Sequence, residues 1–213
     1  MPIKQLLLVR HGQPHEDHAL FPGDPPLHAM GHAQARALAL RRLVSEPIDR
    51  IVCSPQQRAL DTAAPLARML GLRPEVFEGL AEVDRHTDRY RSVETMRAEE
   101  PERWDEFVAS PARYFGRDPA EFYAGVVDAY RTIVEGPGGT CIAVFTHGMT
   151  TKTILSALLG VADIRYSLFS IAHCSVTRLS GTALSAMRIE SMNETLCPPP
   201  GSGLAGRPKP PRT

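Results

Sequence analysis

Arginine, histidine and glycine stand together at Arg10-His11-Gly12, directly after the apolar run Leu6–Val9. Two similar junctions follow. Ser54-Pro55, with Arg58 shortly after, comes behind Ile51–Cys53, and Thr146-His147-Gly148 comes behind the apolar Cys141–Phe145. Arginine forks match the oxygens of an anion such as phosphate and stay charged. Helices starting after Pro55 and Gly148 would turn N–H groups and a positive dipole end toward the same anion. A histidine nitrogen can attack phosphorus covalently, which splits one hard displacement into two. Cations around a phosphoryl group stabilise the charge on its oxygens in flight. Gly12 lets the backbone approach closely. A lone histidine is usually only packed or solvated; here three strand ends together carry the chemical reading.

That reading needs the three strands to lie side by side, because ligands of open α/β sheets bind beyond the carboxyl ends of the strands. Gln5–Val9 reads as a strand buried on both faces, as do Ile51–Cys53 and Cys141–Thr146, with a further strand expected over Arg73–Phe77. A helix is expected over Gly31–Val44. Ala59, Thr62, Ala63, Leu66, Ala67 and Leu70 form a helical stripe that Gly71 stops. Phe122, Val126, Tyr130, Ile133 and Val134 mark another helix, ended by Gly136–Gly139, and Lys152–Leu159 runs helically to Gly160. Ser175–Leu179 and Ala183–Ile189 read as a hairpin around Ser180-Gly181. The alternation implies an α/β three-layer sandwich, a mostly parallel sheet flanked by helices. Residues 1–197 are expected to form one domain. Within it, residues 83–118 are charged, aromatic and irregular. They suit a small helical cap, with short helices near Glu94–Glu99 and Glu102–Ala109. The Pro/Gly-rich tail, 198–213, is expected to be disordered.

Composition narrows the partners. The 213 residues hold 24 basic and 24 acidic side chains, so no bulk field draws nucleic acid or anionic lipid. Cys53, Cys141, Cys174 and Cys197 are scattered without metal-type spacing and suit a reducing compartment. The N-terminal apolar run is too short for a signal peptide, and no stretch is long enough to span a membrane. A cytoplasmic location is the default expectation, and an edge strand offers a surface for a homodimer.

The ordered set of "RHG" at Arg10–Gly12, "SPQQRALDTA" at Ser54–Ala63, "LAE" at Leu80–Glu82 and "THG" at Thr146–Gly148 resembles the histidine phosphatase superfamily. "DPPLHAMGHAQA", Asp24–Ala35, is similar to that family's approach to its first helix. The resemblance spans about Leu6 to Leu179 and implies a phosphoglycerate mutase-like fold. It also implies roles: His11 as the nucleophile that becomes phosphohistidine, and Glu82 as proton donor to the leaving oxygen. Arg10, Arg58, His147, the Gly148 amide and Gln13 would bind the phosphoryl group. It implies no metal and no cofactor, and a small phosphorylated substrate. The expected activity is hydrolysis of a phosphomonoester. A phosphoglycerate mutase-type transfer is the enzymatic alternative, and a phospho-ligand binding module with little turnover is the alternative from another class.

The residues themselves leave the acid open, since Glu16, Asp17 and Asp84 rival Glu82. The chain departs from the family pattern at Gln13, Pro14 and Asp17. It departs again after Glu82, where "VDRHTDRYRS" stands, which predicts a substrate other than the family's commonest. Arg85, Arg89, Tyr90, Arg91 and Trp104 are candidates to touch the leaving group. Phe107, Tyr114, Phe115, Phe122 and Tyr123 read as core beneath the cap. Of His15, His18, His28, His32 and His86, only His28 and His32 have helical ligand spacing. Loop positions at the substrate mouth suit the set better than a metal site. His173 reads as structural or exposed.

Overall fold

The continuous apolar run Leu6–Val9 is explained by helices covering both faces of its sheet. A computed structural model describes residues 3–17, 19–161 and 169–196. In it β1 (Lys4–Arg10) holds Leu6 and Leu8 against one set of helices and Leu7 and Val9 against another. On the first side lie α6 (Pro119–Glu135), which brings Val126, Tyr130 and Ile133, and α7 (Gly148–Leu159), which brings Ile154 and Leu155. On the second lie α1 (Ala29–Leu38), with Leu38, and α2 (Gln57–Leu70), with Ala59, Ala63 and Leu66. The expected three layers follow from this alternation.

The sheet also contains β2 (Arg50–Cys53), β3 (Glu75–Val76), β4 (Cys141–Thr146), β5 (Val176–Gly181) and β6 (Arg188–Glu194). Its order is β3-β2-β4-β1-β5-β6. The β3-β2-β4-β1 pairs are parallel, while β5 runs antiparallel to β1 and β6 antiparallel to β5. Register aligns Val9 with Phe145 and Cys53 with Phe145, so β1, β2 and β4 end at one level. Because β5 is antiparallel, its beginning reaches the same edge, with Val176 opposite Val9.

Local chemistry sets the element ends. Gly71 and Gly160 stop α2 and α7 in the left-handed conformation that glycine takes without strain. His28 caps α1, its Nδ1 accepting from the Met30 amide, and Asp118 caps α6. Buried Lys4 donates to the carbonyls of Ile133, Gly136 and Gly138 at the end of α6, where a cation complements the dipole.

Three expectations shift. The helix expected from Gly31 to Val44 is α1 followed by a widened π-type turn, Ala39–Leu43. The strand expected over Arg73–Phe77 shrinks to two residues, because only Val52 and Cys53 offer it partners. The second hairpin strand begins at Arg188 rather than Ala183, since a short 3₁₀ turn, Leu184–Ala186, fills the connection.

After Glu82 the chain forms α3 (Val93–Glu99), α4 (Trp104–Ala109) and α5 (Pro111–Tyr114). Met96, Phe107 and Tyr114 pack as a separate small cluster with Val93, Trp104 and Phe115 against it. Phe122 belongs instead to the main core. The tail 198–213, with Cys197 and His18, lies outside the described residues.

Candidate active site

Strand order decides who meets whom at the sheet edge. β4 lies between β2 and β1, so His147, the first residue after β4, stands between Ser54 and His11. His147 Nε2 and Ser54 Oγ are hydrogen-bonded at 2.7 Å. The His11 and His147 rings are 5.1 Å apart. The His11 amide donates to the Thr146 carbonyl, which ties the two loops together.

His11 is almost fully buried, and its Nδ1 lies 2.7 Å from the Gly12 carbonyl. A carbonyl only accepts, so Nδ1 carries the proton and Nε2 is left with its lone pair. Burial, then the Arg58, His147 and Arg10 charges or dipoles, hold the His11 pKa well below 6.5. The imidazole is therefore neutral. Gly12 is needed for an approach to α1: a Cβ there would sit 2.7 Å from the Gly31 carbonyl oxygen. Its amide donates to Thr62 Oγ1, whose hydroxyl donates to the Arg58 carbonyl, linking the loop after β1 to α2.

Arg58 is fully buried in the first turn of α2. Its Nη2 donates to both Asp84 carboxylate oxygens, at 2.7 and 2.9 Å. Its guanidinium lies over the Tyr90 ring. Arg10 Nη1 donates to the Ile171 carbonyl. Arg10 Nε, Arg58 Nε and Nη1, His147 Nδ1 and His173 Nε2 are buried without a hydrogen-bond partner among the described residues. Unpaired buried donors are costly, about 1–3 kcal/mol each. Gathered around one histidine, they fit an anion with several oxygens.

Glu82 is buried at the N-terminus of α7. Its Oε2 accepts from the Met149 amide at 2.8 Å and its Oε1 from the Val83 amide. Burial and the neighbouring Asp84 charge raise its pKa above 4.5, against those amides and Arg58, which lower it. Gln56, also fully buried, spans the two carboxylates. Its Oε1 accepts from the Glu82 amide and its Nε2 donates to Asp84.

The rival carboxylates are thereby sorted. Asp84 is taken up by Arg58. Asp17 accepts from the Ala19 and Leu20 amides in an exposed turn, and Glu16 accepts from Thr95 Oγ1. Asp17 is not among the residues lining the cavity over this edge.

A cavity of about 860 Å³ opens over this edge, lined by Arg10, His11, Arg58, Glu82 and Gly148. His147 lies behind it, fully buried. Gln13 does not line it. Its main chain bonds to Gln34 and His28, because close contact with α1 turns this residue along the helix. Tyr90 and Arg91 line the cavity, while Arg85, Arg89 and Trp104 do not. Phe107 and Phe115, expected as core alone, also form its wall.

Two lining residues escape sequence reasoning. The His173 ring lies 5.3 Å from that of His11, tilted by 47°. Its signal was its position just before a strand, which matters only once that strand is antiparallel. Lys152 lines the cavity one turn into α7, its pKa lowered to about 8 by burial and Arg10. It was hidden within an apolar helix pattern.

Among the described residues no group of three or more His, Cys, Asp and Glu side chains gathers as a metal would need. His28 is spent as a helix cap beside His15. No helix among them is long and apolar enough to cross a membrane.

A Yersinia enterocolitica protein named as a probable phosphoglycerate mutase, GpmB, is 29% identical over 203 residues, covering 90% of this chain and 93% of its own. A phosphoserine phosphatase from Entamoeba histolytica, solved with 3-phosphoglyceric acid, superposes with a TM-score of 0.70 at 23% identity. That match covers 91% of this chain and 98% of the other. A mycobacterial glucosyl-3-phosphoglycerate phosphatase gives 0.69 at 22%, covering 91% and 100%. Both share this α/β fold. Residues 6–195 match the family model of the histidine phosphatase superfamily, branch 1. That match takes in every strand end that forms the histidine and arginine cluster, and the chain belongs to the histidine phosphatase superfamily.

Proposed function

We propose that this chain hydrolyses a phosphomonoester through a phosphohistidine on His11, with the segment 83–118 as a cap over the site in a single domain. The observation that carries the reading is the neutral His11, proton on Nδ1 and lone pair on Nε2, amid buried nitrogens of Arg10, Arg58, His147 and His173 that lack hydrogen-bond partners among the described residues. Nε2 attacks phosphorus in line, and the P–O bond to the alcohol breaks as the P–N bond forms. The two arginines hold the equatorial oxygens as charge shifts onto them. Glu82, whose pKa burial raises, gives its proton to the departing alkoxide oxygen. As a carboxylate it then takes a proton from water, which attacks phosphorus and frees His11. Ser54 donates to His147 Nε2, leaving its Nδ1–H for a phosphoryl oxygen.

The test is acid-stable product and acid-labile adduct together. Wild-type protein is expected to release inorganic phosphate, and His11→Ala to lose this by more than a thousandfold. Rapid quenching of Glu82→Gln with labelled substrate is expected to trap phosphohistidine. Intact hydrolysis in His11→Ala would defeat the reading. The named activity of the Yersinia relative supports a second reading, mutase-type transfer. Isomerised phosphoglycerate without phosphate release would favour it.

A further inference from the structure

We infer that the leaving-group side of this site takes a bulky apolar alcohol, so that the substrate is a long alkyl or aryl phosphomonoester rather than a small anionic one. This rests on the phosphatase reading above. The cavity, about 860 Å³, lies near the upper end of small-molecule sites, about 300–1,000 Å³. A phosphoryl group fills little of it. Beyond Glu82 the wall is apolar: Val93, Met96, Phe107 and Phe115 from the capping helices, with Phe169. Met96 and Phe107 are 3% and 2% exposed and are held by their own cluster, so this wall is built rather than incidental.

Among the described residues, the one cation of this segment that lines the cavity is already used. Arg91 lines the cavity but is paired with Glu100. Glu100 also pairs with Arg103 and accepts from the Tyr114 hydroxyl. Arg89 pairs with Glu99 and Arg85 with Glu78. Lys152 has Glu82 and Arg10 as charged neighbours, which places it at the phosphoryl end. A carboxylate held against this wall would lose water and meet no unpaired cation from segment 83–118, which is unfavourable; the other lining cations, Arg41 from the turn after α1 and Lys152 from α7, stand outside this segment. Methylene or ring surface would gain there.

The test is a homologous series of n-alkyl phosphates, ethyl to octyl, with phosphoserine and 3-phosphoglycerate alongside, on the full chain with phosphate release as readout. The alcohols of the series are of nearly equal basicity, so the trend reports burial. We expect kcat/KM to rise about fourfold per methylene until the cavity is filled. Octyl phosphate should exceed both anionic esters by at least about tenfold. Val93→Thr, a half-buried change of equal size, should flatten the rise with chain length. A flat series, or preference for an anionic ester, with hydrolysis still dependent on His11, overturns this inference and leaves the phosphatase reading standing. No His11-dependent hydrolysis of any ester brings down both.

Discussion

Asp84→Asn removes one negative charge from the most deeply buried ion pair of the site and keeps its shape. Arg58 is 0% exposed and Asp84 is 5% exposed at the side chain, so neither charge has water to fall back on. An asparagine oxygen can replace Oδ1, to which Arg58 Nη2 and Gln56 Nε2 both donate, but its NH₂ then faces Arg58 Nη2 where Oδ2 accepted. Breaking a buried pair from one side costs about 3–5 kcal/mol, here toward the low end because Arg58 Nη1 keeps the half-buried Asp24 carboxylate 3.7 Å away. At about 2–4 °C per kcal/mol for a chain of this length, the midpoint of thermal unfolding should fall by roughly 6–20 °C in phosphate-free buffer. A bound oxyanion would replace the lost charge. Inorganic phosphate at about a hundred times its Kd returns about 2.7 kcal/mol by mass action. The variant should bind it more tightly than wild type, since a repelling carboxylate is gone. Thermal unfolding of both proteins across a phosphate titration measures this. If Asp84→Asn melts within about 1 kcal/mol of wild type and phosphate shifts both equally, Arg58 is not the buried phosphoryl clamp described above.

Two further outcomes follow from the same geometry. Glu82→Gln should lower kcat/KM by about 10²–10⁴ for alkyl phosphates, whose alkoxides need a proton, and by much less for p-nitrophenyl phosphate; equal losses on both would remove Glu82 from the acid role. Folding stability should fall as pH drops below about 6.5. His11, His147 and His173 all have pKa values lowered by burial and by nearby arginines, so the unfolded chain binds more protons there. Each histidine adds about 1.4 kcal/mol per pH unit. Glu82, raised above 4.5, acts with opposite sign, but one carboxyl does not outweigh three histidines, so stability falls as pH drops through this range. Urea unfolding between pH 5 and 7.5 reads the slope, and a pH-independent midpoint would contradict the buried neutral histidines.

The sequence by itself determined the strand runs Leu6–Val9 and Cys141–Thr146, the stripe of α2 and its stop at Gly71. It also determined that Arg10, His11, Arg58 and His147 follow or flank strand ends. These are local matters: hydrophobic period, glycine's left-handed conformation and the motif order all lie within a few neighbouring residues. The tertiary structure alone decided the rest. Only the strand order puts His147 between Ser54 and His11, and only the antiparallel β5 brings His173 to the His11 ring. Asp84 passed from rival acid to partner of Arg58, and Gln13 left the site for α1, because each is set by contacts far apart in sequence. The size and apolar character of the cavity likewise come from α3, α4 and α5 packing on one another. Sheet register and packing are non-local, so the pattern of types along the chain names the reacting groups while the fold decides which of them meet.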